Sequence, residues 1–237
     1  MTTIKGVLFD KDGTLIDFTA TWRDVIDDLA AEVSGGDEAL AADMCAAIGY
    51  DVKTGVFLPG SPIVAGSVDV IASLIAELAP RHSAVEIEDI ANRAALSMGA
   101  DDLAPAPGLK QCIAWLQAQG VKLGVATHDG EDAARANLKT LGVFEAFDFI
   151  AGYDSGHGHK PGPGMPQAFA AHIGAAIEEV VMVGDSVHDL GAGNAAGCRY
   201  SVGVLTGPAT EAELGPLADI VLPSIADLPD FLSRAAT

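Results

Sequence analysis

Short apolar runs recur along the chain, and most of them stop at a polar residue or a glycine. Runs of this length and composition are typical of strands buried on both faces of a parallel sheet. The predicted strands cover residues 4–9, 121–126, 147–151, 180–183, 200–205 and 220–222. From about residue 105 onward they alternate with helical patterns, such as the apolar stripe between Leu109 and Gly120. This alternation predicts an α/β fold with a doubly wound, Rossmann-like parallel sheet.

The first and second predicted strands are separated by residues 10–120, which is far longer than a crossover connection needs. Three parts of this segment carry apolar residues at helical spacing. The predicted helices cover residues 22–33, 68–78 and 85–98. Residues 49–67 are rich in Gly, Pro and Ser without a helical period, and we predict a loop there. We therefore expect an all-helical cap domain at residues 17–98, inserted into a core of residues 1–16 and 99–237.

The composition and charge of the chain narrow the possible partners. The chain has 237 residues, 49% of them hydrophobic, which is enough for a sizeable core. Its 13 Lys and Arg residues face 33 Asp and Glu residues, and the formal net charge is −20. Such a field repels nucleic acids and anionic membranes, so neither is expected as a partner. A phosphorylated substrate would need local positive charge or a bound cation such as magnesium.

The cysteines and the apolar segments bear on location. Cys45, Cys112 and Cys198 are widely spaced and form no Cys-x-x-Cys motif, which is typical of buried cysteines in a reducing cytosol. The first residues lack the apolar core of a signal peptide, and no apolar stretch approaches the length of a membrane span. We therefore predict a cytoplasmic protein.

Two aspartates, Asp10 and Asp12, directly follow the first predicted strand. Ligands of open parallel sheets bind beyond the carboxyl ends of the strands, so both carboxylates emerge where a site is expected. Two nearby carboxylates can divide the roles of nucleophile and proton donor. Taken alone, however, an Asp-x-Asp sequence is better interpreted as an ordinary acidic turn.

Further polar residues follow the later strands and strengthen the case for a site. Thr127 follows the second predicted strand, Lys160 lies in a loop beyond the third, and Asp185 and Asp189 follow the fourth. A phosphoryl group in transfer needs hydroxyl and ammonium donors around its oxygens, and carboxylates hold the hard cation that assists it. The set therefore predicts a phosphoryl-transfer site at one edge of the sheet.

The same motifs resemble those of the haloacid dehalogenase-like hydrolases. The resemblance rests on Asp-x-Asp-Gly-Thr-Leu at 10–15, Thr127, Lys-Pro-x-Pro at 160–163 and Gly-Asp-x-x-x-Asp at 184–189. The motifs stand in the family's order, and the insert has the size and place of a helical cap. The overall pattern is similar to phosphoglycolate phosphatases, which implies a small phosphorylated metabolite as substrate. Sugar phosphates, phosphoglycolate and nucleotides all stay open as candidates.

The resemblance also implies catalytic roles for individual residues. Asp10 would attack phosphorus and form an aspartyl phosphate, while Asp12 would protonate the leaving alcohol and then activate water. Thr127 and Lys160 would bind the phosphoryl oxygens. Phosphomutases of the same fold share both aspartates but usually carry another residue where Thr14 stands, which favours hydrolysis.

The resemblance also implies a magnesium site. The ion would be held by Asp10, by the main-chain carbonyl of Asp12 and by Asp185, while Asp189 would order either the metal's water shell or Lys160.

A phosphoaccepting signalling domain has a similar set of side chains, but its phosphoacceptor would lie on the third strand of a chain about half as long.

Several histidines and cap residues have open interpretations. His128 stands where many relatives have Asn, so it is either a substrate contact or a surface histidine. His157, His159 and His188 suggest zinc as an alternative metal, although the aspartates already account for magnesium.

In the cap, Arg23, Lys53 and the loop at 57–62 are candidate substrate contacts, whereas Trp22 lies on an apolar stripe and is interpreted as core.

Overall fold

The computed structural model describes residues 4–58 and 60–235. Six strands form the main sheet, namely β1 (Gly6–Phe9), β4 (Lys122–Ala126), β5 (Phe149–Ala151), β6 (Val180–Gly184), β7 (Tyr200–Val204) and β8 (Ile220–Leu222). The sheet is parallel and has the order β5-β4-β1-β6-β7-β8. The strands lie in the runs predicted from hydropathy and differ only by one or two residues at their ends. The doubly wound α/β fold is confirmed.

Both faces of the sheet are covered by helices, as a fully apolar strand requires. In β1, Val7 and Phe9 pack with helices on one face, while Leu8 belongs to a cluster on the other. The first face carries α6 (Leu109–Ala118), α7 (Glu131–Thr140) and α11 (Leu228–Ala235). The second carries α8 (Gly164–His172) and α9 (Val187–Ala196). Here the Phe169 ring lies so close to Gly6 and Gly124 that a Cβ on either would approach it within 3.0 Å. Short α10 (Glu211–Leu214) precedes β8.

The insert is mainly helical and has a hydrophobic cluster of its own. Its helices are α1 (Phe18–Ser34), α2 (Glu38–Ile48), α3 (Pro62–Ala65), α4 (Val68–Leu78) and α5 (Ala84–Ser97). The Asp17 carboxylate caps α1 by accepting from the Ala20 N–H, and Gly35 ends the helix at a φ of 64°. Three of these helices, α1, α4 and α5, were expected from apolar spacing, whereas α2 and α3 were not.

One correction concerns residues 49–67, which were predicted to be a loop in an all-helical cap. They contain an antiparallel pair, β2 (Tyr50–Asp51) and β3 (Val56–Phe57), followed by α3. The rings of Tyr50 and Phe57 stack across the pair with centroids 4.7 Å apart, which supplies the packing that Gly and Pro content did not reveal.

The insert rests on the carboxyl edge of the sheet. Its entry and exit are tied by backbone hydrogen bonds from Asp17 N–H to the Ala104 carbonyl (2.8 Å) and from Ala106 N–H to the Leu15 carbonyl (2.9 Å). Trp22 packs against both the core cluster and the insert cluster. Among the residues that the structure describes, no helix is both long enough and apolar enough to cross a membrane.

Candidate active site

Four of the residues predicted for catalysis and metal binding meet at the edge of the sheet where the parallel strands end. Asp10 follows β1, Thr127 follows β4, and Asp185 follows β6, while Lys160 lies in the loop before α8. All four side chains are buried and line one cavity between the sheet and the insert. The fold therefore assembles residues that are far apart in sequence around one small volume.

Lys160 is the central cation of this cluster. Its Nζ donates to Asp10 Oδ1 and to Asp189 Oδ1, both at 2.6 Å, and to the Ala126 carbonyl at 3.0 Å. The second oxygen of Asp189 accepts from the backbone N–H of Ser186 at 3.0 Å and from its hydroxyl at 2.6 Å, as part of the N-terminal cap of α9. Asp189 is thereby held by both of its oxygens, and it in turn orients Lys160.

The carboxylates respond differently to burial. Burial raises the pKa of Asp10 to about 7, although the ammonium of Lys160 opposes the shift. Burial together with the neighbouring charge of Asp10 also raises the pKa of Asp185 well above its usual value. Burial alone would raise the pKa of Asp189, but Lys160 and Ser186 lower it below that of an ordinary aspartate. The cluster thus holds more carboxylates than Lys160 can balance.

The donor set suits a hard divalent cation. One oxygen from each of Asp10, Asp185 and Asp189 lies within 4.8 Å of the others. The main chain passes so close to Asp185 that a Cβ on Gly13 or Gly207 would collide with its carboxylate. Oxygen ligands with excess negative charge are those that Mg²⁺ prefers, and an ion that keeps several waters needs few protein ligands. The residues present therefore fit magnesium.

Asp12 is held by a second buried network that the sequence did not reveal. Its Oδ1 accepts from Trp22 Nε1 at 2.7 Å, and its carboxylate is 2.9 Å from Lys11 Nζ. The fully buried Lys11 also contacts Asp129 and Asn137, each at 3.0 Å. Trp22, interpreted from sequence as core, does pack against both hydrophobic clusters, and its indole N–H also reaches the site. The position of Lys11 between two aspartates was the available signal for the network.

Thr127 and His128 continue β4 into the site. The Thr127 hydroxyl oxygen accepts from the Asp129 N–H at 3.0 Å, so its hydrogen can be donated toward the cavity. His128 lines the cavity, and its Nε2 accepts from the Lys160 N–H at 3.0 Å. Its carbonyl accepts from the Val68 N–H at 3.4 Å, which joins the start of α4 to the core.

The zinc alternative finds no geometric support. Across residues 4–58 and 60–235, the only group of three or more potential ligand side chains is the aspartate cluster. The His128 ring lies 6.1 Å from those of His159 and His188. His157 packs instead near the ring of Phe149, at 5.9 Å.

The basic candidates of the cap lie away from the cavity. Arg23 is exposed on α1, and its guanidinium lies against Gly55. A Cβ added to Gly55 would be 3.0–3.3 Å from the guanidinium. Lys53 is exposed in the turn between β2 and β3. None of the described residues of the candidate loop at 57–62 lines the cavity, whereas Ile63 and Val64, just beyond its end, do. Pro59 lies outside the described residues.

Known proteins share both the sequence pattern and the fold. The sequence model of one protein family, described as haloacid dehalogenase-like hydrolase, matches residues 4–197. The chain belongs to the haloacid dehalogenase-like hydrolase family. A phosphoglycolate phosphatase of Cereibacter sphaeroides is 31% identical over 204 residues, which cover 83% of this chain and 84% of the relative. This member is therefore an enzyme of the phosphatase type within that family.

Solved structures of other proteins have the same architecture. A predicted phosphoglycolate phosphatase from Haemophilus somnus 129pt superposes with a TM-score of 0.74 at 20% identity, covering 98% of this chain and 99% of that one. A β-phosphoglucomutase from Clostridium difficile superposes with a TM-score of 0.69 at 19% identity, covering 99% of each. At this identity the likeness concerns the fold, a sheet with an inserted cap.

Proposed function

We propose that the protein is a magnesium-dependent phosphomonoester hydrolase that works through an aspartyl phosphate on Asp10. The observation that carries the proposal is the 2.6 Å contact of Lys160 Nζ with Asp10 Oδ1, between two buried side chains that line the cavity. A carboxylate held beside an ammonium can attack an electrophile whose negative oxygens the same ammonium stabilises.

In the first step an Asp10 oxygen forms a bond to phosphorus while the bond from phosphorus to the ester oxygen breaks. The bonding pair leaves with the alkoxide, and Asp12 transfers a proton to it, which releases the alcohol. The Lys160 ammonium and the Thr127 hydroxyl donate to the phosphoryl oxygens. In the second step Asp12 takes a proton from water, the water oxygen bonds to phosphorus, and the bond to Asp10 breaks to release phosphate.

Magnesium would be held by Asp10, Asp185 and the main-chain carbonyl of Asp12, and it would supply positive charge against the phosphoryl oxygens. Asp189 acts through Lys160, which it contacts at 2.6 Å. Trp22 and Lys11 orient Asp12, because each donates to its carboxylate. A small phosphorylated metabolite is the substrate that the relatives' names support.

The test is phosphate release from p-nitrophenyl phosphate in the presence of Mg²⁺. Asp10→Asn should lower turnover by roughly 10³-fold or more, since nucleophile and proton relay act as one unit. The exposed Asp28→Asn on α1 is the matched control and should keep wild-type activity. Activity of Asp10→Asn near that of Asp28→Asn would remove Asp10 as nucleophile, and a phosphorylated organic product without free phosphate would favour a mutase.

A further inference from the structure

The wall of the cavity formed by the insert, called the roof below, is apolar. Helix α1 lines it with Trp22, Val25, Ile26 and Leu29, and α4 lines it with Val68 and Ile71. Within the described part of the insert, every residue that lines the cavity is aliphatic, aromatic or glycine. Among the described roof residues the one polar side-chain atom is Trp22 Nε1, which already donates to Asp12. The roof thus presents hydrocarbon to whatever group is attached to the phosphate.

The cations of the insert are elsewhere. Residues 17–98 contain 14 Asp and Glu residues but only four Lys and Arg residues, namely Arg23, Lys53, Arg81 and Arg93. All four are exposed, and none lines this cavity. A substrate carboxylate under the roof would therefore lose its hydration without gaining a cationic partner from the insert, and the acidic insert would repel it further.

Two polar groups of the opposite wall already have partners. Asp129 pairs with Lys11 at 3.0 Å, and the Ser186 hydroxyl donates to Asp189 at 2.6 Å. Sugar hydroxyls buried against the roof would lack the hydrogen bonds that they make in water. The roof thus acts against charged and polyhydroxylated leaving groups.

On the basis of the proposed hydrolase function, we infer that the substrate is a phosphate monoester of an uncharged hydrocarbon alcohol. The phosphate lies on the charged residues at the strand ends, and the hydrocarbon fills the space under the roof. Each buried methylene should raise kcat/KM about fourfold until the cavity is full. The inferred substrate differs from phosphoglycolate, the substrate in the names of the relatives, because phosphoglycolate carries a carboxylate.

The experiment compares isobutyl phosphate with phosphoglycolate, which have leaving groups of the same heavy-atom number and branching. Phosphate release is measured on the full chain with Mg²⁺, together with ethyl, butyl and hexyl phosphate. We expect kcat/KM for isobutyl phosphate to exceed that for phosphoglycolate by about tenfold or more, and to rise along the alkyl series. Glycolate is intrinsically the better leaving group, so this preference would come from the cavity.

A pair of variants tests the roof itself. Val25→Lys places an ammonium in the roof, whereas Val70→Lys makes the same change at an exposed position of α4. Val25→Lys should shift the ratio of the two kcat/KM values about tenfold toward phosphoglycolate, and Val70→Lys should leave it within about twofold. Because each ratio comes from one protein sample, loss of folded protein cancels.

Two results would contradict the inference, and they are distinguishable. Hydrolysis of phosphoglycolate as efficient as that of isobutyl phosphate, with Asp10→Asn inactive on both, would overturn the hydrocarbon substrate and keep the hydrolase. Absence of phosphate release from every ester, p-nitrophenyl phosphate included, would remove the proposed function and the inference with it.

Discussion

The two walls of the cavity are built on different physical principles. The floor, made of the side chains at the strand ends, consists of buried charges that contact one another at 2.6–3.0 Å. The roof, made of insert side chains, consists of hydrocarbon. Charges taken out of water depend on their partners, so the floor behaves as one unit. Apolar contacts are short-ranged and roughly proportional to area, so the roof can be changed one residue at a time. Reaction chemistry and substrate choice are therefore separable in this molecule.

The largest predicted effect comes from removing the central cation of the floor. Lys160→Met leaves Asp10 and Asp189 buried without their shared partner. We expect a loss of about 3–5 kcal/mol in the free energy of unfolding and a fall in turnover of roughly 10³-fold. Urea unfolding in EDTA measures the free energy of unfolding, and hydrolysis of p-nitrophenyl phosphate measures turnover.

The matched control is Lys122→Met, because Lys122 also contacts an aspartate, Asp148, at 2.6 Å. The Lys122 side chain is 56% exposed, against 3% for Lys160. An exposed pair contributes about 1 kcal/mol or less, so Lys122→Met should be nearly silent. If Lys160→Met and Lys122→Met destabilised the protein equally, burial would not be the reason why the charges of the floor depend on one another.

The second prediction concerns the network that holds Asp12. Lys11→Met should lower the free energy of unfolding by about 3 kcal/mol, because Asp12 and Asp129 then lose a buried cation. Burial raises the pKa of Asp129 even with Lys11 present, so an unpaired Asp129 is especially unfavourable. Adding Asp129→Asn to Lys11→Met should recover about 1–2 kcal/mol, measured by urea unfolding. Additive losses in the double variant would show that the two side chains are not coupled.

The floor was largely predictable from sequence, and the reason is topological. Asp10, Thr127 and Asp185 each directly follow an apolar run, and parallel strands end at the same edge of a sheet. The contact between Lys11 and Asn137 was not predictable in this way, because it joins side chains 126 residues apart on elements whose register the sequence does not state.

The roof was only partly predictable. Val25, Ile26 and Leu29 belong to the helix predicted at residues 22–33 from its apolar spacing, but an apolar face has the same spacing whether it packs on a core or lines a cavity. Helix α2 was missed because its run of alanines, with a buried stripe of Met44, Cys45 and Ile48, gives little contrast between its faces. The structure was needed to show which apolar face is left for a ligand.

The third prediction tests the point where roof and floor touch. Trp22→Phe keeps an aromatic ring in the roof but removes the 2.7 Å hydrogen bond to Asp12. A hydrogen bond to a charged group contributes about 1.5–3 kcal/mol, so turnover of an alkyl phosphate should fall about tenfold or more. Turnover of p-nitrophenyl phosphate should fall much less, because its leaving group scarcely needs a proton.

The control for that variant is Trp115→Phe on α6, where the ring packs against the core cluster and does not line the cavity. Trp115→Phe should change the turnover of neither the alkyl phosphate nor p-nitrophenyl phosphate. Equal losses of Trp22→Phe on both esters would point to a general packing defect and would remove Trp22 as a residue that positions Asp12.

The smallest predicted effect concerns the two basic cap residues singled out from sequence. Arg23 and Lys53 are exposed and lie outside the cavity, so water and salt screen their charges from a bound ester. Arg23→Ala and Lys53→Ala should therefore change kcat/KM by less than about twofold for isobutyl phosphate and for phosphoglycolate alike. A selective loss on phosphoglycolate alone, of tenfold or so, would mean that the insert moves far enough to bring a cation over the substrate. The roof would then be apolar only in the arrangement described, and Val25→Lys would no longer be needed to admit a carboxylate.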